Sequence, residues 1–238
     1  MTKKMNAGAR VSKIEGHSFF TKNLTSRSVL VDLGVNEGNF SKNLITTFNL
    51  KSYGVEAEKY IYHNFLTEKN NLFVLNAAIT DFNGKISINR VEGLCSTVLN
   101  TNLHEISDDS VEAITFDKFK SFFKLGVIDL IKFDIEGSEI AVFSNCSDEE
   151  ILNWKQITIE FHDFIFPELR KDVSKIQDRL KKLGFQEIKF SLDNTDVVYL
   201  NKNYFRISFP SILFTLLIFK YLRGIKRMYR RISRADKS

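Results

Sequence analysis

The chain has 238 residues, 43% of them hydrophobic and 26% charged, enough to bury the core of one domain with a short appendage. With 11 Gly, 2 Pro and 2 Cys it is neither disordered, collagen-like nor disulfide-stapled. The formal charge of +5 is uneven: residues 202–238 carry ten Lys/Arg against one acid and the remainder 24 against 28, so the main body lacks the basic field of a nucleic-acid binder.

The first 27 residues are polar with scattered apolar positions, and read equally as a helix over a ligand or as an unstructured arm. No apolar stretch in the first 18 marks a secretory signal, which points to the cytoplasm. Ser28 to Leu33 (SVLVDL) is a short apolar run closed by an acid and a glycine, the pattern of a buried parallel strand. Asn36 to Asn49 places Phe40, Leu44, Ile45 and Phe48 on one helical face. Ser52 to Val55 is a second strand. Glu58 to Lys69 reads as a helix with Ile61, Phe65 and Leu66 inward, and Leu72 to Ile79 as a third strand. Asn83-Gly84 is a turn before a strand-like Lys85 to Val91.

Val111 to Thr115 is strand-like and Phe116 to Lys124 helical. Val127 to Phe133 is an apolar run ending at Asp134, and Gly137 to Asn145 a short helix. Gln156 to Phe161 is a β-branched and aromatic strand. Pro167 to Leu183 is a helix with proline at its start and Gly184 at its end. Gln186 to Leu192 and Asp196 to Asn201 close as an antiparallel pair around Asp193-Asn194. This alternation predicts an α/β, Rossmann-like doubly wound sheet of about seven strands over residues 28–203. An N-terminal extension (1–27) and an apolar, then basic, segment (204–238) flank it. In such sheets ligands bind at the carboxyl ends of the strands.

Three strand ends carry the chemistry. The first reads Asp32-Leu33-Gly34-Val35-Asn36-Glu37-Gly38, with glycines where a strand turns into a helix N-terminus. Asn36 stands where the dinucleotide fingerprint requires its second glycine, so a nucleoside without pyrophosphate fits better than a nicotinamide cofactor; the plain alternative is a tight turn. Glu56 ends the second strand 22 residues after Gly34, where an acid accepts both hydroxyls of a ribose; the plain alternative is a solvated acid. Asp134 and Glu136 are two apart and share a face if extended, able to steer a sulfonium or amine, take a proton or hold a metal. Glu139 reads as a first-turn acid favoured by the helix dipole. Glu160 and His162 share a face at the end of the next strand. The cysteines, Cys95 and Cys146, have no ligand-like spacing.

These pieces resemble the FkbM family of S-adenosylmethionine-dependent methyltransferases. The matching segments are VDLGVNEGNFS (Val31 to Ser41), YGVEA (Tyr53 to Ala57), LNAAITDFNG (Leu75 to Gly84), ITFDKF (Ile114 to Phe119), IDLIKFDIEGSE (Ile128 to Glu139) and ITIEFH (Ile157 to His162), in order and over about residues 28–201. The family often has Glu-Pro after the second strand, where this chain has Glu56-Ala57, which keeps the acid. The resemblance implies a seven-stranded class I methyltransferase fold with the last strand antiparallel. It implies that Asp32, Gly34, Val35, Asn36 and Gly38 line the methionine and sugar portions of S-adenosylmethionine, that Glu56 and Ala57 meet the ribose, and that Asn76, Ala77, Ala78 or Asp81 lie near the adenine. Asp134 would sit beside the reactive end.

The expected reaction is methyl transfer to a hydroxyl on a sugar, glycolipid or small metabolite; the alternative is a non-catalytic nucleotide-binding or membrane-associated module of the same fold. Candidate bases are His162, Glu160, Asp134 and Glu136, with histidine favoured because imidazole titrates near neutral pH. No metal is predicted, although the carboxylates could accept a divalent ion. No nucleic-acid partner is predicted: Asp134-Ile135-Glu136-Gly137 does not resemble an Asn/Asp-Pro-Pro-Tyr base-handling motif. Ile207 to Phe219 holds 13 uncharged residues, short of the ~20 of a membrane span, and is followed by a basic run. Residues 207–234 read either as an interfacial helix peripheral to the inner membrane face or as a helix packing on the domain or a second subunit. The sequence sets no oligomeric state.

Overall fold

Short apolar runs bounded by turn formers are too brief for a helical stripe, and they fold as strands. The computed structural model describes residues 11–65, 71–87, 89–91, 94–96, 110–135 and 137–205. In chain order these form β1 (Val11–Ile14), β2 (His17–Phe20), β3 (Val29–Leu33), α1 (Asn39–Phe48), β4 (Lys51–Glu56), α2 (Lys59–His63) and β5 (Leu72–Asn76). There follow β6 (Ala78–Ile79), β7 (Gly84–Ser87), β8 (Asn89–Val91), β9 (Leu94–Ser96), β10 (Ser110–Ile114), α3 (Phe116–Phe123), β11 (Leu130–Phe133), α4 (Glu139–Asn145) and α5 (Asp148–Leu152). β12 (Gln156–Ile159), a 3-10 turn at Pro167–Leu169, α6 (Arg170–Lys182), β13 (Phe185–Lys189) and β14 (Val197–Asn201) complete it.

The main sheet has seven strands in the order β13-β14-β12-β11-β3-β4-β5. β3 pairs in parallel with both β4 and β11, while β14 runs antiparallel to β12 and β13. This is the expected doubly wound sheet with its last strand reversed. The chain steps outward from β3 to β5, then restarts on the other side at β11, so the crevice at the switch point lies between the ends of β3 and β11.

Helices cover both faces. On one, Trp154 is fully buried against Phe116 and Phe143 at 5.3 and 5.8 Å between ring centroids. On the other, Phe40 and Leu44 of α1 pack with Leu30, Leu130 and Phe19. Each such side chain contributes about 1.5–3 kcal/mol by burial. Cys146 is also buried, which pushes its thiol up to about 12 and leaves it protonated and inert at neutral pH.

Several elements depart from the sequence reading. The run Leu72 to Ile79 breaks at Ala77: β5 forms the sheet edge, and β6 joins a separate sheet of order β6-β10-β7. The Asn76 amide donates to the carbonyls of Glu56 and Ala57 at 2.8 and 3.1 Å and turns the chain off the edge. Helix α5 is an addition to the sequence reading, and Ser147 caps it by accepting the Glu150 N–H at 3.1 Å, a local signal. The described part of the expected Glu58–Lys69 helix is α2 alone; residues 66–70 lie outside the described set.

The N-terminal segment is neither helix nor arm over its described part but a hairpin, with Val11 opposite Phe20 and Ile14 opposite His17. Glu15 and Gly16 both have positive φ, 46° and 90°, as a two-residue hairpin turn requires. The expected membrane-contacting segment at 207–234 lies outside the described residues. Among the described residues no helix is long and apolar enough to cross a membrane.

Candidate active site

The turn after β3 is shaped by close backbone approach. Gly34 has φ +80°; a Cβ there would overlap the Asp134 carbonyl oxygen and lie 2.9 Å from its carbon. Glycine lets the ends of β3 and β11 close on each other. The Gly34 and Val35 N–H groups donate to the Val55 carbonyl at 3.2 and 3.0 Å, tying the turn to β4. Asn36 and Gly38 also have positive φ, 50° and 76°. Val35 is buried under the turn.

That conformation aims the Asn36 N–H at Glu56, whose Oε2 accepts it at 2.7 Å while Oε1 accepts the Glu58 N–H at 2.8 Å. Burial pushes the Glu56 carboxyl up, opposed by these two backbone hydrogen bonds. One donor on each oxygen fixes the plane of the carboxylate and leaves each oxygen a lone pair for a vicinal diol. The Ala77 N–H donates to the Glu56 carbonyl at 3.2 Å. Ala77 and Ala78 are buried, Ala57 is half-buried, and Asp81 is exposed.

Beneath the turn lies a charged cluster. Asp32 is fully buried; its Oδ2 accepts the Ser41 hydroxyl at 2.6 Å, and its Oδ1 is 3.1 Å from the Lys132 ammonium. Asp32 therefore sits below the turn, not in its wall. Lys132 also donates to the Gly34 carbonyl at 2.7 Å and lies 3.3 Å from Asp134 Oδ2. Burial alone would lower the Lys132 pKa, but the charges of Asp32 and Asp134 outweigh it and hold the ammonium protonated. Burial likewise pushes the Asp134 carboxyl up; the Lys132 charge and a hydrogen bond from His17 overcome it and hold the group well below the usual carboxylate range.

His17 Nε2 is 3.2 Å from the same Asp134 oxygen, and its ring is fully buried. Burial lowers its pKa, so the ring is neutral at pH 7. An ionised carboxylate only accepts, so Nε2 carries the proton and donates. Neither Lys132 nor His17 was singled out from sequence. A lysine inside the apolar run LIKF was a readable sign of a buried charge; His17 offered no local signal.

A second pair lies at the end of β12. His162 and Glu139 are both buried, with His162 Nδ1 3.1 Å from Glu139 Oε1. Glu139 occupies the first turn of α4 as expected, but its side chain turns inward and also accepts the Ile135 N–H at 3.3 Å. Glu160 is half-buried after β12, and its N–H donates to the Phe133 carbonyl at 3.1 Å. Glu136 lies outside the described residues.

His17, Asp134 and Glu160 each offer one ligand atom within 4.8 Å of the others, a spacing a divalent ion could bridge. The Lys132 ammonium also lies 3.3 Å from Asp134 Oδ2 and supplies positive charge there.

A doubly wound sheet with a reversed last strand, an anchored acid after its second strand and a half-buried acid after its fourth outlines a nucleoside site. The family model described as the methyltransferase FkbM domain matches residues 2–187. The chain belongs to the FkbM methyltransferase family. By family and fold it is an S-adenosylmethionine-dependent methyltransferase. The match extends over the N-terminal hairpin, which the sequence resemblance left out.

Among solved structures, the chain is similar to a candidate caffeoyl-CoA O-methyltransferase from Staphylococcus aureus, at 12% identity and TM-score 0.43 over 73% of this chain and 76% of the other. A precorrin-6y C5,15-methyltransferase from Geobacter metallireducens shares 11% identity at TM-score 0.38, over 75% and 81%. A candidate S-adenosylmethionine-dependent methyltransferase from Methanococcus maripaludis shares 12% at 0.39, over 75% and 78%. At such identities the likeness does not extend to the acceptor. A search of curated proteins found no match.

Proposed function

We propose that this FkbM methyltransferase methylates a hydroxyl of a sugar, glycolipid or small metabolite, with His162 as general base. The observation that carries this reading is the buried His162–Glu139 pair at the switch-point edge of the sheet. A hydroxyl nucleophile must shed its proton near attack, and an imidazole is suited to take it. With Nδ1 donating to Glu139, the basic lone pair of the ring is on Nε2. Little of the ring is exposed, so the acceptor oxygen meets it inside the crevice and not in bulk solvent.

The residues present fit S-adenosylmethionine. The anchored Glu56 carboxylate suits the ribose diol, the Gly34–Gly38 turn suits close approach of the ligand to backbone, and the half-buried Asp134 suits the cationic end. Bound there, the cofactor supplies a methyl group activated on a sulfonium. The chain's own part is to hold, orient and keep water away, and to move one proton at His162.

Calorimetric titration tests the cofactor site. The wild-type chain is expected to bind S-adenosylmethionine and S-adenosylhomocysteine in the micromolar range, about −8 kcal/mol. Glu56→Gln is expected to bind both about 100-fold more weakly. It removes the charge from the diol acceptor and sets an amide N–H₂ against the Asn36 or Glu58 N–H. Unchanged affinity in this variant would move the ribose contact away from Glu56.

Release of S-adenosylhomocysteine with a panel of sugar and glycolipid hydroxyl acceptors tests the base. His162→Gln is expected to keep cofactor affinity and to turn over about 100-fold more slowly. Full turnover in that variant would remove His162 as the base.

A further inference from the structure

We propose that His17, delivered by the N-terminal hairpin, is a positioning residue of the methyl-transfer site: its Nε2–H and the Lys132 ammonium share Oδ2 of Asp134 and leave Oδ1 to face the bound cofactor. The inference rests on the methyltransferase reading above.

Both donors fall on one oxygen. His17 Nε2 is 3.2 Å and Lys132 Nζ 3.3 Å from Asp134 Oδ2. Oδ1 accepts no hydrogen bond among the described residues, and the side chain is 30% exposed. A carboxylate held this way cannot rotate without breaking two bonds, so its second oxygen presents a fixed negative edge to a cation in the crevice.

The hairpin is built to hold this contact. The Phe20 N–H donates to Gln156 Oε1 at 2.6 Å, and the Gln156 amide returns a bond to the Phe20 carbonyl at 3.1 Å. The Ser18 N–H and hydroxyl both donate to the Asp196 carboxylate at 2.8 Å, and Lys13 pairs with the same group. Gln156 and Asp196 are buried, so these anchors are shielded from competing water. They fix β2 against β12 and β14, and His17 is the first residue of β2.

The histidine itself is a poor choice for packing. Its Nδ1 is buried and has no partner among the described residues, which costs stability. Its ring meets Phe40 edge-on at 5.8 Å, while the charges of Lys132, Asp134 and Asp32 act on it. A residue kept for packing alone would not be an imidazole with one idle nitrogen. The other nitrogen supplies what a phenyl ring cannot, a donor to Asp134.

The test uses the full-length chain with S-adenosylmethionine as the probe. In the ligand-free wild type, a ¹H–¹⁵N imidazole correlation spectrum at pH 7 is expected to show His17 neutral with the proton on Nε2. His17→Phe is expected to stay folded yet bind S-adenosylmethionine about 10-fold more weakly, the loss of one charge-assisted bond to an oriented group. His17→Gln, which restores an N–H near the Nε2 position, is expected to recover affinity to within about 3-fold of the wild type.

Wild-type affinity in His17→Phe, or a ring protonated on Nδ1 alone, would overturn the proposal. So would equal losses of melting temperature and affinity in both variants, which would reduce the hairpin to packing. If the wild type fails to bind the cofactor, the methyltransferase reading fails. The imidazole spectrum then still decides the contact with Asp134, a proton on Nε2 supporting it and a ring protonated on Nδ1 alone overturning it.

Discussion

Gly34→Ala is expected to lower the melting temperature by about 6–12 °C and to abolish cofactor binding. Two effects combine. A φ of +80° costs an alanine roughly 1–2 kcal/mol. The added Cβ also meets the Asp134 carbonyl, a backbone group that moves only if β3 and β11 separate at their ends. Together these amount to about 3 kcal/mol or more, and in a domain of this size each kcal/mol shifts the midpoint by about 2–4 °C.

Gly16→Ala separates the two effects. Gly16 has φ +90° but nothing within 4 Å of the would-be Cβ. Its expected loss is the conformational part alone, about 2–8 °C at the same scale. Equal losses at both positions in thermal melts would show that the approach of Gly34 to Asp134 contributes nothing.

Lys132→Met is expected to destabilise the fold by about 3–5 kcal/mol, because it leaves Asp32 fully buried with its charge uncompensated and only the Ser41 hydroxyl as partner. It also frees the Gly34 carbonyl, so the cofactor turn loosens with it. Adding Asp32→Asn to Lys132→Met is expected to restore much of the stability, since the second change removes the stranded charge. A double variant as unstable as the sum of the single ones, in urea denaturation, would mean that the two side chains act independently.

The effect has a pH signature. The Asp134 carboxyl, whose ordinary pKa is 3.8, is lower in the folded chain because Lys132 and His17 favour its charged form. A depressed carboxyl contributes stability above its unfolded value and loses it as pH falls. That share of the gap between wild type and Lys132→Met is therefore full at pH 7 and closes below about pH 4.

Much of this architecture is local in origin and readable as such. The runs SVLVDL and IDLIKF are strands because short apolar stretches closed by an acid have no alternative partner for their side chains than the two faces of a sheet. Gly34, Glu56 and Asp134 stand at strand ends, and a doubly wound sheet gathers its strand ends at one edge whatever the rest of the chain does. The break at Ala77 was not readable in the same way. It depends on an Asn76 side chain that bonds across to the neighbouring strand.

The alternation of strands and helices, the glycine turn and the acids at the strand ends are local properties, because each depends on residues a few positions apart. The remaining contacts arise when distant elements dock. His17 reaches Asp134 across 117 residues because buried polar anchors dock the hairpin beside β12 and β14. Lys132 stays charged inside a sheet because two acids on adjacent strand ends surround it. Glu139 turns from its helix's first turn to His162 because the end of β12 places an imidazole within reach. These contacts are set by where elements dock, and docking is decided by burial and polar satisfaction over the whole domain, which no local pattern encodes.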